Sequence, residues 1–179
     1  MKKIVNIVLA LACVFTLTAC AGNSVDESGK DSSNNGAVTE NNKDEKNYTF
    51  KYNDTAIAVN MEADKLLNKI GNEQSYFEAP SCAFDGIDKI YTYGGFELHT
   101  YPASDEKEYV SAVIFKDDSV KTEEGIYIGD TREKVVETYG EDFEDVDGAY
   151  VYDKGEGKLQ FIFKNDLVAS VEYIATVSK

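Results

Sequence analysis

Cysteine is scarce in this chain, which has three cysteines among 179 residues. Cys13 lies within the apolar N-terminal segment and Cys20 lies directly after it. If that segment is removed and Cys20 is modified, Cys82 is the one thiol that remains. An exported chain with a single spare thiol cannot form internal disulfides, so we expect the fold to depend on its hydrophobic core.

Histidine is scarcer still, since the chain has one, His99. No serine lies in a nucleophile elbow, and Cys82 has no obvious base partner nearby in the sequence. Carboxylates are abundant, but a catalytic pair needs one member in a cleft that raises its pKa, and no sequence pattern indicates such a cleft. We therefore predict a protein that is not an enzyme and has no cofactor.

Basic residues are few compared with acidic ones: 18 lysines and arginines stand against 33 aspartates and glutamates, a net charge of −15. Such a chain repels nucleic acid and anionic lipid headgroups, so we exclude nucleic acid as a partner. A solvated, self-repelling surface is the simplest explanation of the charge. An affinity for a basic partner or for cations is the more specific one.

The N-terminus has the composition of a secretory signal. Lys2 and Lys3 precede the apolar run Ile4–Phe15, which is too short for a lasting membrane span. Leu17-Thr18-Ala19-Cys20 follows and is similar to a bacterial lipobox, in which cleavage leaves the cysteine as the lipidated first residue. We predict a signal peptide over 1–19, palmitate and other lipid on Cys20, and a location on the extracytoplasmic face of the cell membrane.

Residues 20–47 consist mainly of Ser, Asn, Gly, Asp, Glu and Lys. Such a segment cannot bury enough apolar surface to offset its conformational entropy, so we predict a disordered tether. The remaining residues, 48–179, have the length of one domain and are rich in Tyr, Phe, Val and Ile.

Two segments of this domain resemble each other. Ile57–Gly71 and Ile126–Gly140 match at apolar, lysine and glycine positions with a constant offset of 69 residues. Strand-like segments follow both, and in the second half they are Tyr150–Tyr152, Leu159–Phe163 and Val168–Tyr173. The pattern predicts an α+β fold of two tandem repeats, 48–118 and 119–179, each with a short helix and antiparallel strands.

Helix boundaries can be predicted from the same two segments. Asn60 and Asp130 are the expected N-caps, and Asp130 is followed three residues later by Glu133 in a capping box. Gly71 and Gly140 are expected to end the helices in a left-handed conformation.

The run Gly129-Asp130-Thr131, Val135, Tyr139-Gly140 and then Tyr150 and Tyr152 resembles the pattern of the SmpA/OmlA (BamE-type) small lipoproteins. The tandem arrangement resembles the β-lactamase inhibitory protein fold. Together they imply a non-enzymatic envelope protein that holds another protein on an exposed sheet face or on loops. No individual binding residue of this chain can be assigned from the resemblance.

Candidate binding residues lie on the predicted strands. Alternation turns Phe96 and Leu98 inward and Glu97, His99 and Tyr101 outward. Two tyrosine pairs occupy corresponding positions, and alternation places the members of each pair on one sheet face, either as core or as a recognition surface. These pairs are Tyr91 with Tyr93 and Tyr150 with Tyr152.

The acidic segment Glu141–Gly148 could hold calcium, but in an EF-hand register Phe143 and Lys154 fall at ligand positions, so we favour a solvated loop and no metal. The expected function is that of a monomeric, membrane-anchored protein-binding module of the cell envelope whose partner is an envelope or extracellular protein, with a basic surface as the best match. The alternatives are a ligand- or cation-binding lipoprotein and a cell-wall-active hydrolase.

Overall fold

Residues 47–103 and 105–176 are described by a computed structural model, and they form ten β-strands and two short α-helices. The strands are β1 Phe50–Tyr52, β2 Thr55–Ile57, β3 Ser75–Pro80, β4 Ile87–Tyr93, β5 Phe96–Pro102, β6 Glu108–Phe115, β7 Glu144–Val146, β8 Ala149–Lys154, β9 Gly157–Lys164 and β10 Leu167–Ala175. The helices are α1 Ala63–Ile70 and α2 Arg132–Tyr139. The predicted signal peptide, Cys20 and the tether up to residue 46 lie outside the described residues.

Eight of the strands form one antiparallel sheet in the order β3-β4-β5-β6-β10-β9-β8-β7, and β1 and β2 form a separate two-stranded sheet. Hairpin turns join most neighbours, as expected for antiparallel pairs. The exception is the centre, where β6 pairs with β10 over a short register that includes Tyr173 opposite Val113.

The predicted fold class, α+β with two tandem repeats of helix plus strands, is wrong. The described chain is mostly β, its helices are eight residues each, and its strands from β3 to β10 belong to a single sheet without clear repeats. The physical reason is the open edge of β6. Its backbone N–H and C=O groups need partners, and β10 supplies them, so the strands on both sides of residue 118 merge.

The hydrophobic core lies on one face of the eight-stranded sheet. Alternate residues of β5 and β6 are buried there, as period-2 patterning requires, and Phe96, Leu98 and Val113 are fully enclosed. Helix α1 contributes Leu66 and helix α2 contributes Val135 to the same cluster, together with residues of β1 and β2. The helices and the two-stranded sheet therefore cover this face, and we call the opposite face of the eight-stranded sheet the open face.

Both helices begin differently from the prediction. Thr131 caps α2, since its Oγ1 accepts a hydrogen bond from the Lys134 amide at 3.2 Å. The carboxylate of Asp130 instead accepts from the Tyr127 amide at 3.1 Å and pairs with the Lys134 ammonium at 2.8 Å. The turn before the helix directs the Asp130 side chain towards the backbone of residue 127, so it does not reach the amides of the first helical turn.

Helix α1 begins after Glu62, which makes no side-chain capping bond. Asn60 lies two residues earlier, in a left-handed turn with φ of 64°. Its backbone N–H donates to Val110 O at 2.8 Å, so the residue extends the pairing of β6 instead of capping the helix.

Glycine ends both helices with positive φ, but in an extended conformation and not in the left-handed helical one that the sequence predicts. Gly71 has φ 91° and ψ −170°, and Gly140 has φ 86° and ψ −174°. This region is accessible essentially to glycine alone. The hydroxyls of Tyr93 and Tyr152 donate to the carbonyls of Gly71 and Gly140 at 3.3 and 3.0 Å, which holds each chain reversal against the sheet.

Replacing Gly71 or Gly140 with alanine should lower the free energy of unfolding by about 1–3 kcal/mol, because a Cβ is strained at this φ and ψ. Nothing lies within 4 Å of the added Cβ at either position, so strain is the only cost. Gly94→Ala is the matched control, since Gly94 lacks positive φ and its nearest neighbour would be 3.8 Å away. Urea denaturation measures all three, and equal midpoints for Gly71→Ala, Gly140→Ala and Gly94→Ala would contradict the assignment.

Within residues 47–103 and 105–176, neither helix has the length or the apolar composition needed to cross a membrane.

Candidate functional site

The two tyrosine pairs of the sequence prediction lie on the covered face of the sheet. Tyr93 and Tyr152 are buried, with 3% and 2% of their surfaces exposed, and they pack in the core. Burial raises the pKa of both hydroxyls to about 12, with smaller contributions from neighbouring Glu73 at Tyr93 and Tyr150 at Tyr152. Tyr91 and Tyr150 are partly buried at the margin of the same core. Within the described structure these four tyrosines therefore support packing and do not form an open surface.

Glu97 and His99 lie on the open face. In the register of β5, Glu97 is opposite Thr92 and Ile114, and His99 is opposite Ile90 and Ala112. The open face continues into β10 through Glu172, which is opposite Ile114. It combines aliphatic side chains with carboxylates, and none of the helices covers it.

A β-bulge interrupts the pairing of β5 with β6 beside His99. The register passes from His99 opposite Ala112 to Thr100 opposite Val110, which leaves Ser111 without a partner on β5. Strand alternation along β5 continues, so Thr100 is buried on the covered face and Tyr101 lies on the open face. The Tyr101 hydroxyl donates to Asn60 Oδ1 at 3.2 Å, which fixes the ring across the sheet.

The loop between β3 and β4 places an aromatic ring over Tyr101. Ser81 organises this loop, because its Oγ accepts from the Phe84 amide at 3.2 Å and its amide donates to Gly86 O at 3.0 Å. The Phe84 and Tyr101 ring centroids are 5.0 Å apart with 31° between the planes. A Cβ on Gly86 would lie 2.9 Å from the Pro102 side chain, so glycine lets the loop close tightly.

A shallow pocket of about 270 Å³ opens beside these two rings, and its wall is completed by Asp88, Lys89, Ile90, His99, Thr100 and Ser111. We call it the open-face pocket. Its most unusual atom is Oδ1 of Asp88, which is buried and has no hydrogen-bond donor among the described residues. A buried carboxylate oxygen without a donor is costly, by about 1–3 kcal/mol or more. Asp88 lines the pocket, and a ligand that brings positive charge against its carboxylate would offset part of this cost.

The charges around the pocket are unevenly paired. Glu97 accepts hydrogen bonds from His99 at 3.3 Å and Lys116 at 3.1 Å. Burial opposes ionisation of Glu97, but these two donors outweigh burial and lower the pKa of its carboxyl. Lys89 also lines the pocket, and its ammonium forms an ion pair with Glu108. Among the described residues, no basic side chain forms an ion pair with Asp88, so no ion pair offsets the charge of this carboxylate.

Tyr101 stays a hydrogen-bond donor over a wide range of pH. Burial raises the pKa of its hydroxyl, and the charges of Glu156 and Asp105 add to the effect. The second neighbouring ring, Tyr109, lies 6.1 Å from that of Tyr101 and extends the aromatic row to the end of β6.

The structure brings together three predicted residues, Glu97, His99 and Tyr101, and separates them from the four predicted tyrosines. Sequence reasoning missed Asp88, although the alternation Asp88, Ile90, Thr92 places it on the same face. Phe84 could not be predicted, since it lies in a loop and reaches the site only through the fold.

Two larger hollows of about 530 and 470 Å³ border the two-stranded sheet. Their walls contain charged side chains that pair with each other, such as Lys51 with Asp54 at 3.5 Å and Lys65 with Glu62 at 2.8 Å. The polar groups in these walls are paired or solvated. Among the described residues that line the two hollows, none has a buried acceptor atom without a hydrogen-bond donor, as Asp88 has.

The acidic segment Glu141–Gly148 forms strand β7 and a tight turn, in which Asp145 Oδ1 accepts from the Gly148 amide at 2.8 Å. In the part of the chain that the structure describes, no three His, Cys, Asp or Glu side chains are grouped closely enough to hold a metal ion. Cys82 is a free, exposed thiol.

No protein-family model matches the chain, and no curated protein sequence matches it. The chain is similar to part of a crystal structure of an extracellular protein containing a SCP domain from Bacillus anthracis strain Ames, with 17% identity and a TM-score of 0.49. The match covers 65% of this chain and 44% of that protein, so the chain spans less than half its length. The resemblance to SmpA/OmlA lipoproteins and to the β-lactamase inhibitory protein stays a prediction.

Proposed function

We propose that the protein is a lipid-anchored, extracytoplasmic binding module whose open face holds an envelope or extracellular protein. One observation carries this proposal: two aromatic side chains and the Asp88 carboxylate line one pocket on the open face. Recognition surfaces of proteins use such rigid aromatic groups for affinity and polar groups for orientation.

The dimensions of the site favour a macromolecule over a small molecule. Pockets for small molecules usually enclose about 300–1,000 Å³, and the open-face pocket, at about 270 Å³, lies below that range. It opens onto a broad sheet surface with exposed apolar side chains, among them Phe77 and Ile162. A partner that covers the sheet and inserts one side chain would use both features.

Charge favours a basic partner. Asp88, Glu97 and Glu172 lie on the open face, and the whole chain has a net charge of −15. Opposite charge would speed the encounter, and binding should weaken as salt is added. We take the role to be non-catalytic, because His99 lies in a shallow pocket and its described side-chain partner is the Glu97 carboxylate.

Photo-crosslinking amino acids placed on the two sides of the protein test the proposal directly. Thr92 and Ile114 are positions on the open face, and Lys65 and Glu137 are exposed positions on the helices. In intact cells we expect a discrete crosslinked protein from the first two positions and none from the last two. Crosslinks from the helix positions alone would place the interface on the other side of the molecule.

With the crosslinked partner purified, Tyr101→Ala should weaken binding by about tenfold, or 1–2 kcal/mol, because the ring would be buried in the interface. Tyr127→Ala is the matched control, since Tyr127 is also partly exposed, at 40%, but lies in the turn before α2. Isothermal titration at low salt measures both. Equal affinities for wild type and Tyr101→Ala would remove the pocket from the proposed interface.

Anchoring is tested separately, at Cys20. Cys20→Ala should shift the protein out of the membrane fraction, either into the medium or into an uncleaved precursor, because the lipobox then lacks its acyl acceptor. Fractionation and mass spectrometry of the N-terminal peptide measure this. A mature wild-type protein without acyl mass on Cys20 would contradict the proposed anchor.

A further inference from the structure

An arginine of the chain itself shows which chemistry this protein uses to bind a guanidinium group. Arg132 lies over two aromatic rings, 4.8 Å from the centroid of Tyr150 and 4.0 Å from that of Phe163. Its Nε donates to the Asp166 carboxylate at 3.4 Å and its NH1 donates to Gly148 O at 3.3 Å. Two rings and a carboxylate thus surround one planar cation.

The open-face pocket presents the same set of groups. Phe84 and Tyr101 supply two adjacent rings, and Asp88 supplies a carboxylate. One oxygen of this carboxylate is buried and accepts no hydrogen bond from the described residues. None of the described lysines or arginines lies over either ring. The nearby lysines have other partners, since Lys89 pairs with Glu108 and Lys116 pairs with Glu97.

We infer that the open-face pocket is an arginine-binding site, in which a guanidinium group of the partner protein stacks on Phe84 and Tyr101 and donates hydrogen bonds to Asp88. This inference rests on the proposed function, because it names the group by which the partner is recognised. A guanidinium suits the pocket better than an ammonium. It is planar and stacks on aromatic rings, and its several N–H donors match a carboxylate in a fixed geometry.

The size and polarity of the pocket agree with this occupant. Its volume of about 270 Å³ suits one long side chain that arrives over the apolar floor of Ile90. The aliphatic stem of an arginine packs on such a surface while its charged end reaches the carboxylate. A neutral ligand would leave the charge of Asp88 uncompensated in a partly desolvated site, which is unfavourable.

The test compares two probes of nearly the same shape, one with a charged guanidinium and one with a neutral urea group. N-acetyl-arginine amide and its neutral isostere N-acetyl-citrulline amide are titrated at pH 7.5 into the isotopically labelled whole chain, and backbone amide shifts are followed by NMR. We expect millimolar binding of the arginine probe, with shifts that centre on Asp88, His99 and Tyr101, and at least tenfold weaker binding of the citrulline probe. Shifts that are equal for both probes, or that centre elsewhere, would overturn the inference.

Variants separate the pocket from general electrostatics. Asp88→Asn should weaken binding of the arginine probe at least tenfold. Asp54→Asn is the control, because it removes the same charge from a side chain that is 98% exposed, and it should leave binding of the probe unchanged. Phe84→Ala tests the stacking interaction and should also weaken binding of the arginine probe several-fold. Phe84 lies in a loop, so this variant remains informative if Asp88→Asn perturbs the sheet. Undiminished binding by both pocket variants would defeat the inference.

The inference and the proposed function fail in different ways. If open-face crosslinks capture a partner whose affinity is unchanged by Asp88→Asn, the binding module stands and the arginine site is refuted. If the arginine probe binds at Asp88 but no open-face position crosslinks to a protein, the site stands and the proposed function is refuted.

Discussion

Phe50→Ala should lower the free energy of unfolding by about 3–5 kcal/mol, the largest effect that we expect from a single substitution in this protein. Phe50 is 1% exposed and lies in β1, which pairs only with β2. Its ring is 4.9 Å from that of Phe96 and 5.0 Å from that of Phe115, with edge-to-face geometry. It therefore fastens the two-stranded sheet to the centre of the eight-stranded sheet.

The loss combines the transfer energy of the ring with the cavity that remains, since the neighbouring rings of Tyr52, Phe96, Phe115 and Tyr173 cannot collapse into the space. Phe77→Ala is the matched control. Phe77 lies on edge strand β3 and is 60% exposed, so its removal should change stability by less than about 0.5 kcal/mol. Urea denaturation followed by circular dichroism measures both variants. A Phe50→Ala protein as stable as Phe77→Ala would mean that the two-stranded sheet does not depend on this contact.

The second large effect is a loss of stability in alkali. Burial raises the pKa of Tyr93 and Tyr152 to about 12 in the folded protein, whereas an unfolded tyrosine titrates near 10. Between these values the unfolded state loses protons that the folded state keeps. Stability should therefore be constant below pH 10 with respect to these groups and fall as the pH rises from about 10 to 12.

Each of the two tyrosines contributes roughly 2–3 kcal/mol to this fall once the pH reaches 12, since one pKa unit corresponds to about 1.4 kcal/mol. Tyr152→Phe separates the titration from the general effect of alkali. At pH 8 the variant should be about 1 kcal/mol less stable, because it loses the hydrogen bond to the Gly140 carbonyl at 3.0 Å. At pH 11 the difference should shift by roughly 1.4 kcal/mol in favour of the variant, because it has no hydroxyl to deprotonate on unfolding, so the variant becomes as stable as the wild type or slightly more stable.

Phe161→Leu, at a buried ring without a hydroxyl, is the control and should keep the same difference from wild type at both pH values. Urea denaturation at pH 8 and pH 11 gives the comparison. An equal disadvantage of Tyr152→Phe at the two pH values would show that this hydroxyl is not shielded in the folded state.

Local order was predictable wherever it depends on near neighbours in the chain. Period-2 alternation placed the second-half strands within β8, β9 and β10, and it assigned Phe96 and Leu98 to the core and Glu97, His99 and Tyr101 to the opposite face. Glycines at the helix ends were predicted because only glycine accepts the backbone conformation there, although its ψ is extended and not left-handed. The sequence also determines the net charge of −15.

Tertiary structure decided how those strands assemble. Internal similarity suggested two separate repeats, but similarity between segments does not specify which edges pair, and the pairing of β6 with β10 produces one sheet. The site depends on the same kind of information. Phe84 meets Tyr101 only because a loop folds over the sheet, and Oδ1 of Asp88 is buried only in the folded chain. Long-range pairing and desolvation are properties of the assembled chain, and no local pattern of residues encodes them.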